Sequence, residues 1–165
     1  MEPSSHQRQT RRKIRLDRYL YGFEHIFSLT ITTFGRYRWF SAYPKLADEF
    51  ITILINCART RSCELYAWCV MPEHTHILIR DEDVVDFVRL IKGRATPIAR
   101  QFEPGRRLWQ RSFYDHALRS EDDVSQIARY IFENPVRAGL TDNLTAYRWS
   151  GSLVWENWRE HHWAE

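Results

Sequence analysis

The sequence has few of the residues that stabilise small secreted proteins or span membranes. Its 165 residues include three cysteines, Cys57, Cys63 and Cys69, and none of them forms a C-x-x-C pair. This pattern argues against a disulfide framework or a zinc cluster and favours a reducing compartment. No apolar run approaches the roughly 20 residues that cross a bilayer, and no apolar segment follows the basic N-terminus as in a secretory signal. We therefore expect a cytoplasmic protein with no membrane partner.

The composition is that of a folded protein, with 44% apolar and 27% charged residues. The length fits one domain over residues 1–165. The net charge is only +3, but basic side chains concentrate in residues 1–22, at Arg8, Arg11, Arg12, Lys13, Arg15 and Arg18. Such a cluster predicts either a phosphate-binding arm or a solvated tail.

Hydrophobic periodicity predicts an α+β fold. Alternating and β-branched runs predict strands over 25–34, 63–71, 74–79 and part of 106–120. Apolar spacing of three and four predicts helices over 45–60, from 84 onward, and over 121–134, where Pro135 is expected to end the helix. This order is the split β-α-β pattern of ferredoxin-like and RRM-like domains, an antiparallel sheet with helices packed on one face. The aromatic tail, residues 145–165, is expected to cover a sheet edge.

The segment WCVMPEHTHILI, residues 68–79, contains His74 and His76. Since side chains two residues apart on a strand share one face, both imidazoles can converge on one point. Imidazole is a common ligand of divalent metals. The spacing therefore predicts either a metal site or two histidines on a solvated sheet face.

The last predicted helix has a second polar feature. Tyr130 and Asn134 are four residues apart and therefore neighbours on one helical surface, and Asn134 continues the apolar spacing of Ile127 and Ile131. If this helix packs beside the sheet, a phenol and an amide point together toward the imidazoles. The alternative is a tyrosine at the edge of the core and an asparagine at a helix end.

Three segments, in this order and spacing, carry a resemblance to a known family. They are MPEHTHILI, LWQRSFYDHALRS and ARYIFENPVRAGL, and the N-terminal RRKIRLDRYLYGFEHIFSLTITTFGR adds to them. They resemble the REP-associated tyrosine transposases, relatives of the IS200-like insertion-sequence transposases in the HUH endonuclease superfamily. The resemblance covers most of residues 11–152. It departs at Thr75, between the histidines, where the family has a bulky apolar residue.

The resemblance implies a metal-dependent single-stranded DNA endonuclease and strand transferase with a 5′-phosphotyrosine intermediate. Tyr130 matches the nucleophile, and His74 and His76 match the metal-binding pair, with Mg²⁺ or Mn²⁺ as the cofactor. Asn134 matches the third ligand position. Gln126 is the alternative, because a residue before proline is biased away from helical geometry.

The resemblance also implies a DNA partner, a hairpin-forming repetitive extragenic palindrome (REP), and a bacterial, nucleoid-associated protein. Phosphate contacts are expected from Arg11, Arg12, Lys13, Arg15, Arg107 and Arg111, and base stacking from Trp109, Phe113 and Tyr114. Insertion-sequence relatives share a tyrosine helix between subunits, whereas REP-associated relatives act alone, so monomer and homodimer both remain open. The alternatives are a non-catalytic RRM-like module that binds single-stranded nucleic acid, and a zinc hydrolase that activates water.

Overall fold

The computed structural model describes residues 26–118 and 123–160. Its strands are β1 (Ile26–Thr32), β2 (Glu64–Val70), β3 (His74–Arg80), β4 (Tyr114–Ala117) and β5 (Ser150–Gly151). They form one antiparallel sheet in the order β4-β1-β3-β2-β5. The strand that carries the two histidines therefore lies at the centre of the sheet, as the sequence predicted.

The helices are α1 (Trp39–Ala42), α2 (Pro44–Thr60), α3 (Val84–Phe102) and α4 (Asp123–Arg137). The predicted order of strands and helices is confirmed. The sequence reading missed α1, a 3-10 turn at Phe34–Arg36 and the short strand β5. It left the later half of α3 open because of Gly93 and Pro97, and the helix runs through both.

The two faces of the sheet pack against different helices. Helices α2 and α3 cover one face, where Phe27, Leu29, Ile77 and Ile79 join the main core. Helix α4 lies on the other face, and its Ala128, Ile131 and Phe132 pack against Ala67, Cys69 and Leu78. Both histidines belong to this second face because they alternate with the core residues of β3.

Helix α4 does not end before Pro135, and this prediction was wrong. The helix runs to Arg137, although Pro135 has no N–H to donate to the carbonyl of Ile131. The side-chain nitrogen of Asn134 donates to that carbonyl at 3.3 Å and to the carbonyl of Tyr130 at 3.2 Å. The asparagine thus replaces the missing backbone donor, and its own position stays helical despite the proline that follows.

The described part of the aromatic tail, residues 145–160, covers the β2 edge of the sheet, as predicted. Strand β5 pairs with β2 through Gly151 opposite Trp68 and Ser150 opposite Cys69. Farther on, Trp158 is buried and stacks on Phe132 of α4, with ring centroids 4.2 Å apart. The tail thereby fixes α4 against the sheet. Within 26–118 and 123–160, no helix has the length and apolar character that crossing a membrane requires.

Candidate metal and tyrosine site

The register of β1 and β3 brings the two imidazoles together. His74 lies opposite Thr32 and His76 lies opposite Thr30. The rings are nearly perpendicular at 87°, and their Nε2 atoms are 3.0 Å apart. Two nitrogens at adjacent positions around one octahedral ion lie about 3 Å apart, given metal–ligand distances near 2.1 Å. The spacing therefore fits two ligands of one ion.

The other nitrogen of each ring has its own partner. Nδ1 of His74 lies 3.0 Å from Glu73 Oε1, and Nδ1 of His76 lies 3.1 Å from Thr30 Oγ1. Both oxygens can accept a hydrogen bond from a protonated Nδ1, which leaves the Nε2 lone pairs for a metal. Such partners fix the tautomer and ring orientation of metal-binding histidines. The donor set therefore fits a divalent cation in chemistry as well as in spacing.

Both imidazoles are held in the neutral form that binds metals. Burial lowers the pKa of His74, although the Glu73 carboxylate acts in the opposite direction. Burial, the neighbouring His74 and the Arg137 guanidinium together lower the pKa of His76 to about 3. Near neutral pH no proton has to leave either ring before a cation binds.

The histidines stand at the border between the covered and the open halves of their sheet face. On one side, Cys69 of β2 is paired with His76 and is buried beneath α4. On the other side, Thr30 pairs with Tyr114 of β4, which is 55% exposed. A ligand can therefore reach the imidazoles from the open half, while α4 lines the opposite side.

Tyr130 lies on the exposed side of α4, with 57% of its surface accessible. The Arg137 guanidinium lies over its ring, 3.9 Å from the centroid, and Arg137 is also the cation that acts on His76. One side chain thus contacts the phenol ring and is also close enough to His76 to lower the pKa of that imidazole. The phenol is therefore not sealed in the core.

The two candidates for the third ligand differ in their surroundings. Both described hydrogen bonds of the Asn134 amide come from its nitrogen, so its oxygen is left for another partner. Gln126 is exposed two turns earlier on α4. The described residues contain no group of three His, Cys, Asp or Glu side chains that could hold a metal.

Trp109 does not stack on bases, and this expectation was wrong. The side chain is 5% exposed and packs against Phe40 and Phe50, with centroid distances of 5.9 and 5.3 Å. The unpredicted helix α1 supplies one of these two rings. The tryptophan therefore packs in the core and has too little exposed ring surface to stack on a base, although its edge borders the groove lined by Arg107 and Arg111.

Arg107 and Arg111 line a groove of about 560 Å³ between α3 and the segment that leads to β4. Lys92, Arg100 and Arg106 line it too, and none of its lining residues is acidic. Arg106 is already paired with Glu103, whereas Arg107 lies over the exposed ring of Phe34. The predicted arm residues Arg11, Arg12, Lys13 and Arg15 lie outside the described residues.

Sequence reasoning missed three residues around this site. Glu73 directly precedes His74, so the sequence alone could have suggested a carboxylate partner for that imidazole. Arg137 lies seven residues after Tyr130, two helical turns along the same surface, but the helix was expected to end before it. Thr30 had no local signal, since its place opposite His76 depends on strand register.

Comparison with known proteins assigns the fold and the family. The family model described as "Transposase IS200 like" matches residues 23–134. A REP-associated tyrosine transposase of Escherichia coli K12 is 33% identical over 101 residues, which are 59% of this chain and 59% of that protein. A putative REP-associated tyrosine transposase of Haemophilus influenzae Rd is 28% identical over 57% of this chain and 66% of its own. The chain thus matches less than two thirds of the length of either relative.

Solved structures give the same assignment. A REP-associated tyrosine transposase bound to a REP hairpin is 25% identical, with a TM-score of 0.64 over 77% of this chain and 76% of that one. A putative transposase from Deinococcus radiodurans is 27% identical, with a TM-score of 0.50 over 66% and 89%. With a central histidine pair, a tyrosine helix and a family model that matches most of its length, the chain belongs to the IS200-like transposase family of enzymes.

Proposed function

We propose that this protein is a metal-dependent endonuclease and strand transferase that acts on single-stranded DNA through Tyr130. The observation that carries the proposal is the arrangement around the histidine pair. Two Nε2 atoms lie 3.0 Å apart, and Arg137, whose guanidinium lies over the exposed phenol of α4, is close enough to His76 to lower its pKa. Family membership and the relatives named as tyrosine transposases support the same activity.

The metal would be held by His74, His76 and the amide oxygen of Asn134. When bound, Mg²⁺ or Mn²⁺ supplies Lewis-acid polarisation of the scissile phosphate. The lowered pKa values of the histidines keep their lone pairs available, and Glu73 and Thr30 hold the rings in place. The amide differs from the thiolates, imidazoles and carboxylates of most zinc sites, which disfavours the zinc hydrolase.

The chemical step falls to Tyr130. Its phenolic oxygen attacks the phosphorus as its proton leaves, and the bond from phosphorus to the 3′ oxygen breaks. The products are a 5′-phosphotyrosine and a free 3′-OH. Attack of a 3′-OH on this phosphotyrosine restores a phosphodiester and releases the phenol, so joining requires no ATP.

The groove lined by Lys92, Arg100, Arg107 and Arg111 supplies cations for the DNA backbone. A structural neighbour is described as bound to a REP hairpin. We extend that substrate to this chain, with the N-terminal arm as a further phosphate contact. The open half of the sheet face, which carries Thr30 and the exposed Tyr114, gives unpaired bases a surface beside the histidines.

The same open face favours a second candidate, a module that binds single-stranded nucleic acid without cutting it. It requires neither the exposed phenol nor the paired imidazoles. Formation of a covalent protein–DNA adduct therefore distinguishes the endonuclease from the binding module.

The test uses hairpin oligonucleotides labelled at either end, incubated with the protein and Mn²⁺ or Mg²⁺. We expect the 3′-labelled fragment to remain on the denatured protein and the 5′-labelled fragment to be released. Tyr130→Phe should bind DNA and form no adduct, and chelation should abolish the reaction. Binding without cleavage would support the second candidate, cleavage without an adduct would support a hydrolase, and an adduct in Tyr130→Phe would reject the nucleophile.

A further inference from the structure

Arg137, in the last turn of α4, makes three contacts with its own helix. Its Nη2 donates to the carbonyl oxygen of Tyr130 at 2.6 Å, and its Nη1 donates to Glu133 Oε2 at 3.0 Å. The guanidinium carbon lies 3.9 Å from the centroid of the Tyr130 ring. Its side chain is only 40% exposed. The cation is therefore held in one orientation, with its face against the ring.

Another arginine on the same helix provides a comparison. Arg129 donates its Nε to Glu133 Oε1 at 2.8 Å, so both arginines bind the same carboxylate. Of the two arginines, Arg137 is the one whose guanidinium lies over the phenol ring. Support of the helix by ion pairing is thus common to both residues, whereas contact with the tyrosine is particular to Arg137.

An exposed nucleophile needs such a contact. Tyr130 is 57% exposed, so neighbouring side chains restrict its ring less than they would in a core. A guanidinium is planar and can stack on an aromatic face while its edge donates hydrogen bonds. Because a reacting group must be held close to its attack geometry, fixing the ring direction contributes to the rate.

We propose that Arg137 is a positioning residue that restricts the orientation of the Tyr130 ring for attack on the DNA phosphate. This inference rests on the proposed function. The ring contact orients the phenol, the bond to the Tyr130 carbonyl fixes the guanidinium on the helix, and Glu133 holds it from the other side. Arg137 thus contacts the nucleophile, whereas the basic residues of the groove contact the DNA backbone.

The test compares Arg137→Gln and Arg137→Lys with the control Arg129→Gln, which loses an ion pair to the same carboxylate. At saturating hairpin, we expect Arg137→Gln to slow adduct formation roughly tenfold, the size of one cation–π contact in a partly desolvated setting. The hairpin concentration at half-saturation should not change. Arg137→Lys should be intermediate, because an ammonium keeps the charge but has no planar fork.

A second readout does not depend on activity. The protein has eight tyrosines, and in the 3-fluorotyrosine-labelled protein the Tyr130 signal is assigned as the ¹⁹F resonance that Tyr130→Phe removes. Arg137→Gln should shift this resonance, and Arg129→Gln should leave it in place.

Several results would overturn the proposal. They are an unmoved Tyr130 resonance in Arg137→Gln, an equal loss of rate in Arg129→Gln, or a change in half-saturation alone, which would make Arg137 a DNA-binding residue. If the wild-type protein forms no adduct with any hairpin, the proposed function fails and the positioning role fails with it. The ¹⁹F shift then reports whether the ring contact itself exists.

Discussion

Thr30 and His76 face each other across β1 and β3, and the threonine hydroxyl lies 3.1 Å from Nδ1 of the imidazole. The pairing ties the orientation of a candidate metal ligand to the register of the central strands. Neither residue is close to the other in sequence. The candidate metal site therefore depends on the fold as a whole.

Thr30→Val should weaken metal binding. Valine keeps the shape of threonine but cannot accept a hydrogen bond from Nδ1, so the imidazole of His76 loses its orienting partner. We expect a loss of affinity of about tenfold or more, as for other outer partners of metal-binding histidines. Calorimetric titration of the DNA-free protein with Mn²⁺ measures it. Ser28→Ala, on the same strand and face but opposite Leu78, is the control, and equal affinities in both variants would contradict the prediction.

Asn134→Ala should lower the affinity for Mn²⁺, whereas Gln126→Ala should not. The reason is that the Asn134 amide nitrogen is held by two carbonyls of α4, which leaves its oxygen for the metal. The same titration decides between the two side chains. The reverse result would make Gln126 the ligand. Thermal unfolding of Asn134→Ala should accompany the titration, because this variant also removes the donor to the Ile131 carbonyl.

Trp109→Ala should destabilise the fold without a specific effect on DNA binding. The side chain is almost fully buried between Phe40 and Phe50, and truncating such a residue costs about 3–5 kcal/mol. Urea unfolding measures this loss. Tyr114→Ala, at an exposed position, should change stability little and should weaken binding of single-stranded DNA. A stable Trp109→Ala variant with weak DNA binding would restore the stacking role.

Arg61→Gln should lower the free energy of unfolding at neutral pH. Arg61 donates to both oxygens of the buried Asp81 carboxylate, at 2.9 and 2.8 Å. Removing one partner of a buried pair costs several kcal/mol, and since Arg61 is partly exposed we expect about 2–3 kcal/mol. Arg89→Gln, which loses an exposed ion pair to Asp86, should cost less than about 0.5 kcal/mol.

The deficit of Arg61→Gln should shrink in acid. Burial raises the pKa of Asp81, but hydrogen bonds from Arg61, Cys63 and the backbone of Asp83 outweigh it, so the net pKa is lowered. A carboxylate with a lowered folded pKa stabilises the protein above its unfolded pKa, near 3.9, and loses that effect as the pH falls through the folded value. Without Arg61, protonation instead relieves a buried charge. Unfolding curves from pH 7 down to about pH 2 test this, because the range must pass below the lowered pKa of Asp81, and a constant difference would contradict the prediction.

Local patterns predicted much of this fold because its elements follow simple periods. The alternation around His74 and His76 gave the strand and the shared face, and apolar spacing gave α2 and most of α4. The rest depended on distant contacts. Trp109 lies in an irregular segment whose burial is decided by a helix about 70 residues earlier in the chain. The end of α4 was misplaced because a side-chain amide replaced the backbone donor that Pro135 lacks.

The register of the central strands also determines where the sheet can tolerate an inserted or deleted residue. The ladder between β2 and β3 has an irregularity between Leu65 and Ala67, at the end of β3 away from the histidines, whereas β1 and β3 pair without interruption from Ile26 to Thr32. Insertions near the irregularity can be absorbed by a bulge. A single codon lost within β3 ahead of its second histidine would exchange inward and outward positions there. Insertions can therefore be tolerated on the side of β3 that pairs with β2. A change of length on the side that pairs with β1 would displace the histidines and destroy the candidate metal site.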